Sequence, residues 1–144
     1  ENPNLLSELT VLDFNPHVNQ ELKQRGADVV YADVTHRETL LHAGVDKAEV
    51  IVCTIPNSIL KGATSQRLVR QLREINPTAQ IIMHAEVFSD LRELYAAGAD
   101  YVSIPRVNQA GELCGAILAA QRGLLNQQRK FQETLLSGRR EVLD

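Results

Sequence analysis

"TVLDFNPHVNQELKQRGADVVYADVT" (10–35) holds two short apolar runs, each ending on a carboxylate, with one polar segment between them. The first run is β-branched and apolar and stops at Asp13. Asn15-Pro16 then opens a helix that runs through Arg25, because the N–H that Pro16 lacks is not needed in a first helical turn. Gly26 suits the position just past a helix end, where the backbone turns left-handed. The second run, "DVVYADV" (28–34), carries Asp33 near its end. Thr35 is expected to cap the next helix, "HRETLLHAG", with Glu38 three residues on completing a capping box and Gly44 closing it. Strand, helix, strand, helix in this order predicts parallel neighbours joined by crossovers.

The alternation continues along the chain. "AEVIVCTI" (48–55) is apolar almost throughout, the pattern of a strand buried on both faces of a parallel sheet. Pro56-Asn57-Ser58 lead into an amphipathic helix expected over 59–75. "AQIIMHAE" (79–86) reads as another buried strand, Ser89 to Gly98 as a helix, and "DYVSIP" as a short last strand. Strands are therefore expected near 9–13, 28–32, 49–54, 79–84 and 101–104. From Val107 a helical stripe runs through Leu113, Ile117, Leu118, Leu124, Phe131 and Leu135, with a break expected near Gly123. The fold class is α/β: a Rossmann-like, doubly wound parallel sheet followed by a long C-terminal helix. The expected division is residues 1–106 for the Rossmann-like domain and 107–144 for a helical extension that serves as a dimerisation element.

Composition narrows the function classes. The chain has 144 residues and a formal net charge of -3, so it offers no basic field for nucleic acid. No run of eighteen apolar residues occurs, which argues against direct membrane insertion. "ENPNLLSEL" lacks the basic start of a signal peptide, and the absence of an initiator methionine suggests a piece of a longer, cytosolic polypeptide. Cys53 and Cys114 lie far apart in apolar runs and are expected as free thiols. His17, His36, His42 and His84 lack metal-ligand spacing, so no metal site is expected. No serine sits in a Gly-x-Ser-x-Gly setting and no catalytic constellation is visible, so the expectation is a protein that is not an enzyme.

In open parallel sheets, ligands bind outside the carboxyl ends of the strands. Those ends carry Asp13, Asp33, Thr54-Ile55-Pro56, His84-Ala85-Glu86 and Ser103-Ile104-Pro105. Asp13 has a concrete job there: a carboxylate at such an end accepts hydrogen bonds from both hydroxyls of an adenosine ribose and repels a 2′-phosphate. Asp33 could accept from the exocyclic amine of an adenine. A chain also turns polar wherever it leaves a core, and Asp33 could be no more than the turn residue before Thr35.

The run "VLDFNP…LKQRGADVVYADVTHRETLLHAGVDKAEVIVCTIPN" resembles the TrkA-N domain, also called the KTN or RCK domain. "AQIIMHAEVFSDLRELYAAGADYVSIPR" is similar to that family's second half, and the resemblance spans about residues 9–106. "IPNSILKG" and the long tail are most similar to Kef-type cation/proton antiporters. The resemblance implies a cytoplasmic module, part of an inner-membrane transport protein, that binds NAD(H), AMP or ATP and controls a potassium channel or cation/proton antiporter. It implies that Asp13 holds the ribose beside Asn15, that Asp33 and Val34 meet the adenine, and that Thr54, Ile55 and Pro56 line the pocket with Glu86 nearby. It further implies a homodimer and a membrane-embedded transport partner.

Two departures stand out. Ala32 replaces the family's glycine before the acid, and the family's first strand with its Gly-x-Gly-x-x-Gly phosphate turn has no counterpart, so weak or absent nucleotide binding is expected. The favoured explanation is an excised fragment whose parent supplies that strand. The alternatives are a degenerate domain, or a phosphate site built by "ENPNLLSEL". The missing strand belongs in the middle of the sheet, so two strand edges must pair directly, stay open or recruit another chain. Two rival functions stand beside the regulatory one. An assembly module with a vestigial pocket would work through its long helix; a fragment of an NAD-dependent dehydrogenase would need a substrate domain and a proton-transfer residue.

Overall fold

A computed structural model describes residues 6–60 and 63–139. The described residues divide into two compact units, one up to Ser103 and one from Ile104 onward. The first unit holds strands β1 (Thr10–Asp13), β2 (Asp28–Tyr31), β3 (Val50–Cys53), β4 (Gln80–His84) and β5 (Tyr101–Ser103). Helix α1 (Pro16–Gln24) joins β1 to β2, and α2 (Arg37–His42) with a 3-10 turn (Val45–Lys47) joins β2 to β3. Helix α3 (Ser65–Ile75) precedes β4, and α4 (Phe88–Ala97) precedes β5. Every registered pair is parallel: Val11 lies against Val29, Ile51 against Ile81, and Met83 against Val102.

The strands form two ladders, β1-β2 and β3-β4-β5. Among the described residues no strand joins β1 to β3, so of the three outcomes open to the two edges the structure adopts the open one. The core centres on β4. Ile81 and Met83 are fully buried there, with Val69 of α3 and Leu94 of α4. Leu68, Val69, Leu72 and Ile75 recur at helical spacing and give α3 one buried stripe. Fully burying each such side chain stabilises the fold by about 1.5–3 kcal/mol.

Two local expectations are corrected, and the break expected near Gly123 is found. Thr35 does not cap α2: His36 holds that position without a side-chain bond. Thr35 turns back instead, donating from N (2.9 Å) and Oγ1 (2.7 Å) to Asp33 Oδ1. A charged acceptor two residues back outcompetes the helix amides for that hydroxyl. Helix α3 begins at Ser65, not near 59, because Asn57 Oδ1 accepts from Ser65 N and Oγ while Thr64 Oγ1 caps Arg67 N. Ile59 and Leu60 are left in the turn before it. The long C-terminal helix is two helices, α5 (Pro105–Gln121) and α6 (Leu125–Leu136), parted at Gly123 with φ 71°. That break falls where the glycine placed it.

Candidate functional site

The carboxyl ends of β1, β2 and β3 converge on one pocket of about 270 Å³. Since residues just past the ends of all three strands line it, the two ladders run in the same sense. Of the residues singled out in the sequence, Asp13, Asn15, Val34, Thr54, Ile55 and Pro56 line this pocket together. Asp33 and Glu86 are exposed and are not part of the lining. Asp33 has its Oδ1 taken up by Thr35, and His36 Nδ1 lies 3.6 Å from its Oδ2.

Asp13 is held by the chain that follows it. Its Oδ1 accepts from Asn15 N at 2.7 Å, and Asn15 Oδ1 in turn accepts from His17 N and Val18 N to cap α1. Its carbonyl accepts from Ala32 N at 3.2 Å and from Asn19 Nδ2 at 2.9 Å. Strand β2 and helix α1 therefore fix the backbone that carries the carboxylate. Oδ2 takes no hydrogen bond among the described residues. The surrounding wall is largely apolar, with Leu12, Val18, Val34, Ile55 and Ile59. A single acid over an apolar wall suits a flat, hydroxyl-bearing ligand. The volume is below the roughly 300–1,000 Å³ of typical whole-ligand clefts, which matches part of a dinucleotide better than all of one.

Asn19 escaped the sequence reading. It is buried on α1, and its Oδ1 has no partner among the described residues while Nδ2 holds Asp13 O. A polar residue within a helix's apolar stripe was the available signal. Cys53 is buried at the end of β3 and Cys114 is exposed on α5. Burial pushes the Cys53 thiol above its ordinary pKa, opposed by a backbone hydrogen bond at Ile55. Iodoacetamide at neutral pH is accordingly expected to modify Cys114 well before Cys53. Mass mapping that finds the order reversed would show that β3 opens readily. Among the described residues no cluster of three metal-ligating side chains occurs, and no helix is long and apolar enough to cross a membrane.

The family model described as TrkA-N domain matches residues 2–105. The chain belongs to the TrkA-N domain family. The glutathione-regulated potassium-efflux system protein KefC of Escherichia coli O139:H28 is 33% identical over 92 residues, which is 64% of this chain and 14% of that protein. The chain therefore spans only a small part of the curated relatives' length. Among solved structures, the TrkA-N domain of the inner membrane protein ybaL from Escherichia coli superposes with a TM-score of 0.67 at 23% identity, covering 77% of this chain and 81% of that one. The GsuK RCK domain gives 0.61 at 28% identity over 79% of this chain and 23% of that one. A GsuK channel bound to NAD gives 0.62 at 24% identity over 82% and 20%. The parallel α/β, Rossmann-like architecture expected from the strand pattern is thus the TrkA-N fold, in a domain related to potassium-transport proteins.

Proposed function

We propose that this TrkA-N domain is a non-catalytic regulatory module that binds an adenosine-containing nucleotide, NAD(H) or AMP/ATP, and thereby controls a potassium channel or cation/proton antiporter from the cytoplasmic side. The observation that carries this reading is Asp13, held at a strand end with one carboxylate oxygen that takes no hydrogen bond among the described residues, over a pocket formed by three converging strand ends. The ribose hydroxyls bond Asp13, and the adenine lies along Val34, Ile55 and Pro56. Asp33 and Glu86 stand outside the pocket lining and act, if the ligand extends that far, at its rim. KefC is a potassium-efflux protein and one GsuK structure holds NAD, which supports the ion and the ligand class.

Equilibrium dialysis with AMP and with NADH tests the reading. Binding is expected to be weak, because no glycine-rich turn cradles phosphate among the described residues. Asp13→Ala removes two charge-assisted hydrogen bonds of about 1.5–3 kcal/mol each, so affinity is expected to fall by more than about tenfold. An affinity unchanged by that substitution places the ligand elsewhere and sinks the reading.

A second reading, assembly with a vestigial pocket, is favoured by one observation. Leu113, Ile117, Leu118, Phe131 and Leu135 are all exposed on α5 and α6. In this reading residues 107–144 join two copies into a homodimer, which would bury on the order of 1,200–2,000 Å² in total. Sedimentation of the chain beside Ile117→Glu decides it. Two monomers at micromolar concentration remove the dimer.

A further inference from the structure

Of the nine residues of α1, Asn19 alone is buried. The innermost position of a helix laid on a sheet is ordinarily apolar, and an amide there costs stability unless it is used in full. This one is half used. Nδ2 donates to Asp13 O at 2.9 Å, while Oδ1 has no partner among the described residues. Leucine has the same branched skeleton of heavy atoms and would remove the orphaned acceptor. Asp13 O does not need the amide in order to be satisfied, since Ala32 N also donates to it at 3.2 Å. What the amide adds is a second direction. Ala32 ties that carbonyl to the chain leaving β2, and Asn19 ties it to α1. Two donors fix the plane of the peptide between Asp13 and Phe14, where one leaves it free to rock.

We infer that Asn19 is a positioning residue for the ligand: it weakens the fold slightly and pre-orients the Asp13 carboxylate toward the ribose hydroxyls. The inference rests on the nucleotide reading above. Asn19 is not part of the pocket lining, so it acts on a ligand only through Asp13. The carboxylate is tied to the same helix, because Asn15, whose N–H donates to Asp13 Oδ1 at 2.7 Å, caps α1 through His17 N and Val18 N. Carbonyl and carboxylate of Asp13 are thus both referred to the first turns of α1. A carboxylate set in this way meets the two hydroxyls without first losing its own freedom, which is where pre-organisation raises affinity.

The test titrates the intact chain and Asn19→Leu with AMP and with 2′,3′-dideoxy-AMP, which keeps base and phosphate but offers Asp13 no hydroxyl. Amide chemical shifts follow binding, and a urea midpoint is taken for each protein. The unsubstituted chain is expected to bind AMP more than about tenfold tighter than the dideoxy nucleotide, for want of two charge-assisted hydrogen bonds. Asn19→Leu is expected to weaken AMP about fivefold, to leave the dideoxy nucleotide unchanged, and to keep or raise the urea midpoint. Loss of both nucleotides in equal measure, or a variant that does not fold, would make the amide a structural group only and overturns the inference. AMP bound as tightly by Asn19→Leu as by the chain overturns it too, and leaves Asp13 as the ribose acid. Equal affinity of the unsubstituted chain for the two nucleotides, or no binding of either, overturns the nucleotide reading itself and the inference with it.

Discussion

Asn76→Ala is expected to lower the unfolding free energy by about 3–5 kcal/mol, read as a fall in the urea midpoint at unchanged slope. Asn76 is 3% exposed, in the link between α3 and β4. Its Nδ2 donates to Val45 O at 2.9 Å and to Ala48 O at 2.8 Å, which pins the 3-10 turn that launches β3. Its Oδ1 accepts from Thr78 N, Thr78 Oγ1 and Ala79 N, which sets the entry into β4. Alanine orphans all five groups, and each buried orphan costs roughly 1–3 kcal/mol unless water reaches it. Native domains hold only about 5–15 kcal/mol in total, so the variant approaches unfolding. Asn76→Asp is expected to do little better, since it loses the Nδ2 donor and sets a carboxylate against two carbonyl oxygens. A loss below about 1 kcal/mol for alanine would mean that water substitutes for the amide, and the clamp described here would be wrong.

The five strands were legible because each is a short, largely apolar run set off by turn residues, but the burial of β3 on both faces expected from its apolar run is not found: Val50 and Val52 are exposed. Asp13 could be singled out because it ends an apolar run where open parallel sheets bind ligands, and it lines the pocket while also making the ordinary turn bond to Asn15 N. Asp33 is the instructive contrast. Both acids accept a backbone N–H two residues on, but Asp33 also takes the Thr35 hydroxyl and has His36 beside its other oxygen, and its neighbours Ala32 and Val34 line the pocket instead. Sequence carries the residue type but not the competition for its lone pairs. The same limit hid Asn57, whose side chain delays α3, and Asn76, which reads in "INPTAQ" as an ordinary turn. The gap between the ladders could be anticipated only as a choice among outcomes, because edge pairing depends on chain geometry that no local pattern encodes. In "AAGADYVSIP" the acid proved to be structural: Asp100 lies before β5, at the opposite end from the pocket.

Arg73→Met keeps the aliphatic stem and drops the guanidinium, and it is expected to cost about 2–3 kcal/mol after allowance for a side chain that is 27% exposed. Nη1 donates to Pro77 O and Ala79 O, and Nη2 to Gly98 O and Asp100 Oδ2, so one side chain ties the ends of α3 and α4 to the starts of β4 and β5. Gly98 makes this possible through its backbone at φ 111°, which side-chain-bearing residues rarely adopt; a methyl there would meet Arg73 only at ordinary contact distance. The Asp100 carboxyl is held below its usual pKa, first by the Ile81 N–H at 2.7 Å and then by Arg73. A depressed carboxylate stabilises the fold above its unfolded pKa of about 4, and that contribution is lost as pH falls through the lower folded value. The stability difference between the chain and Asp100→Asn is therefore expected to be constant near neutrality and to shrink below about pH 4. In the Arg73→Met background the same difference is expected to be smaller but not zero, because the Ile81 N–H still favours the ionised form. Urea titrations of the four proteins across that range check both statements. A difference that grows on acidification would require the Asp100 pKa to be raised, and would refute the arrangement of charges at this end of the sheet.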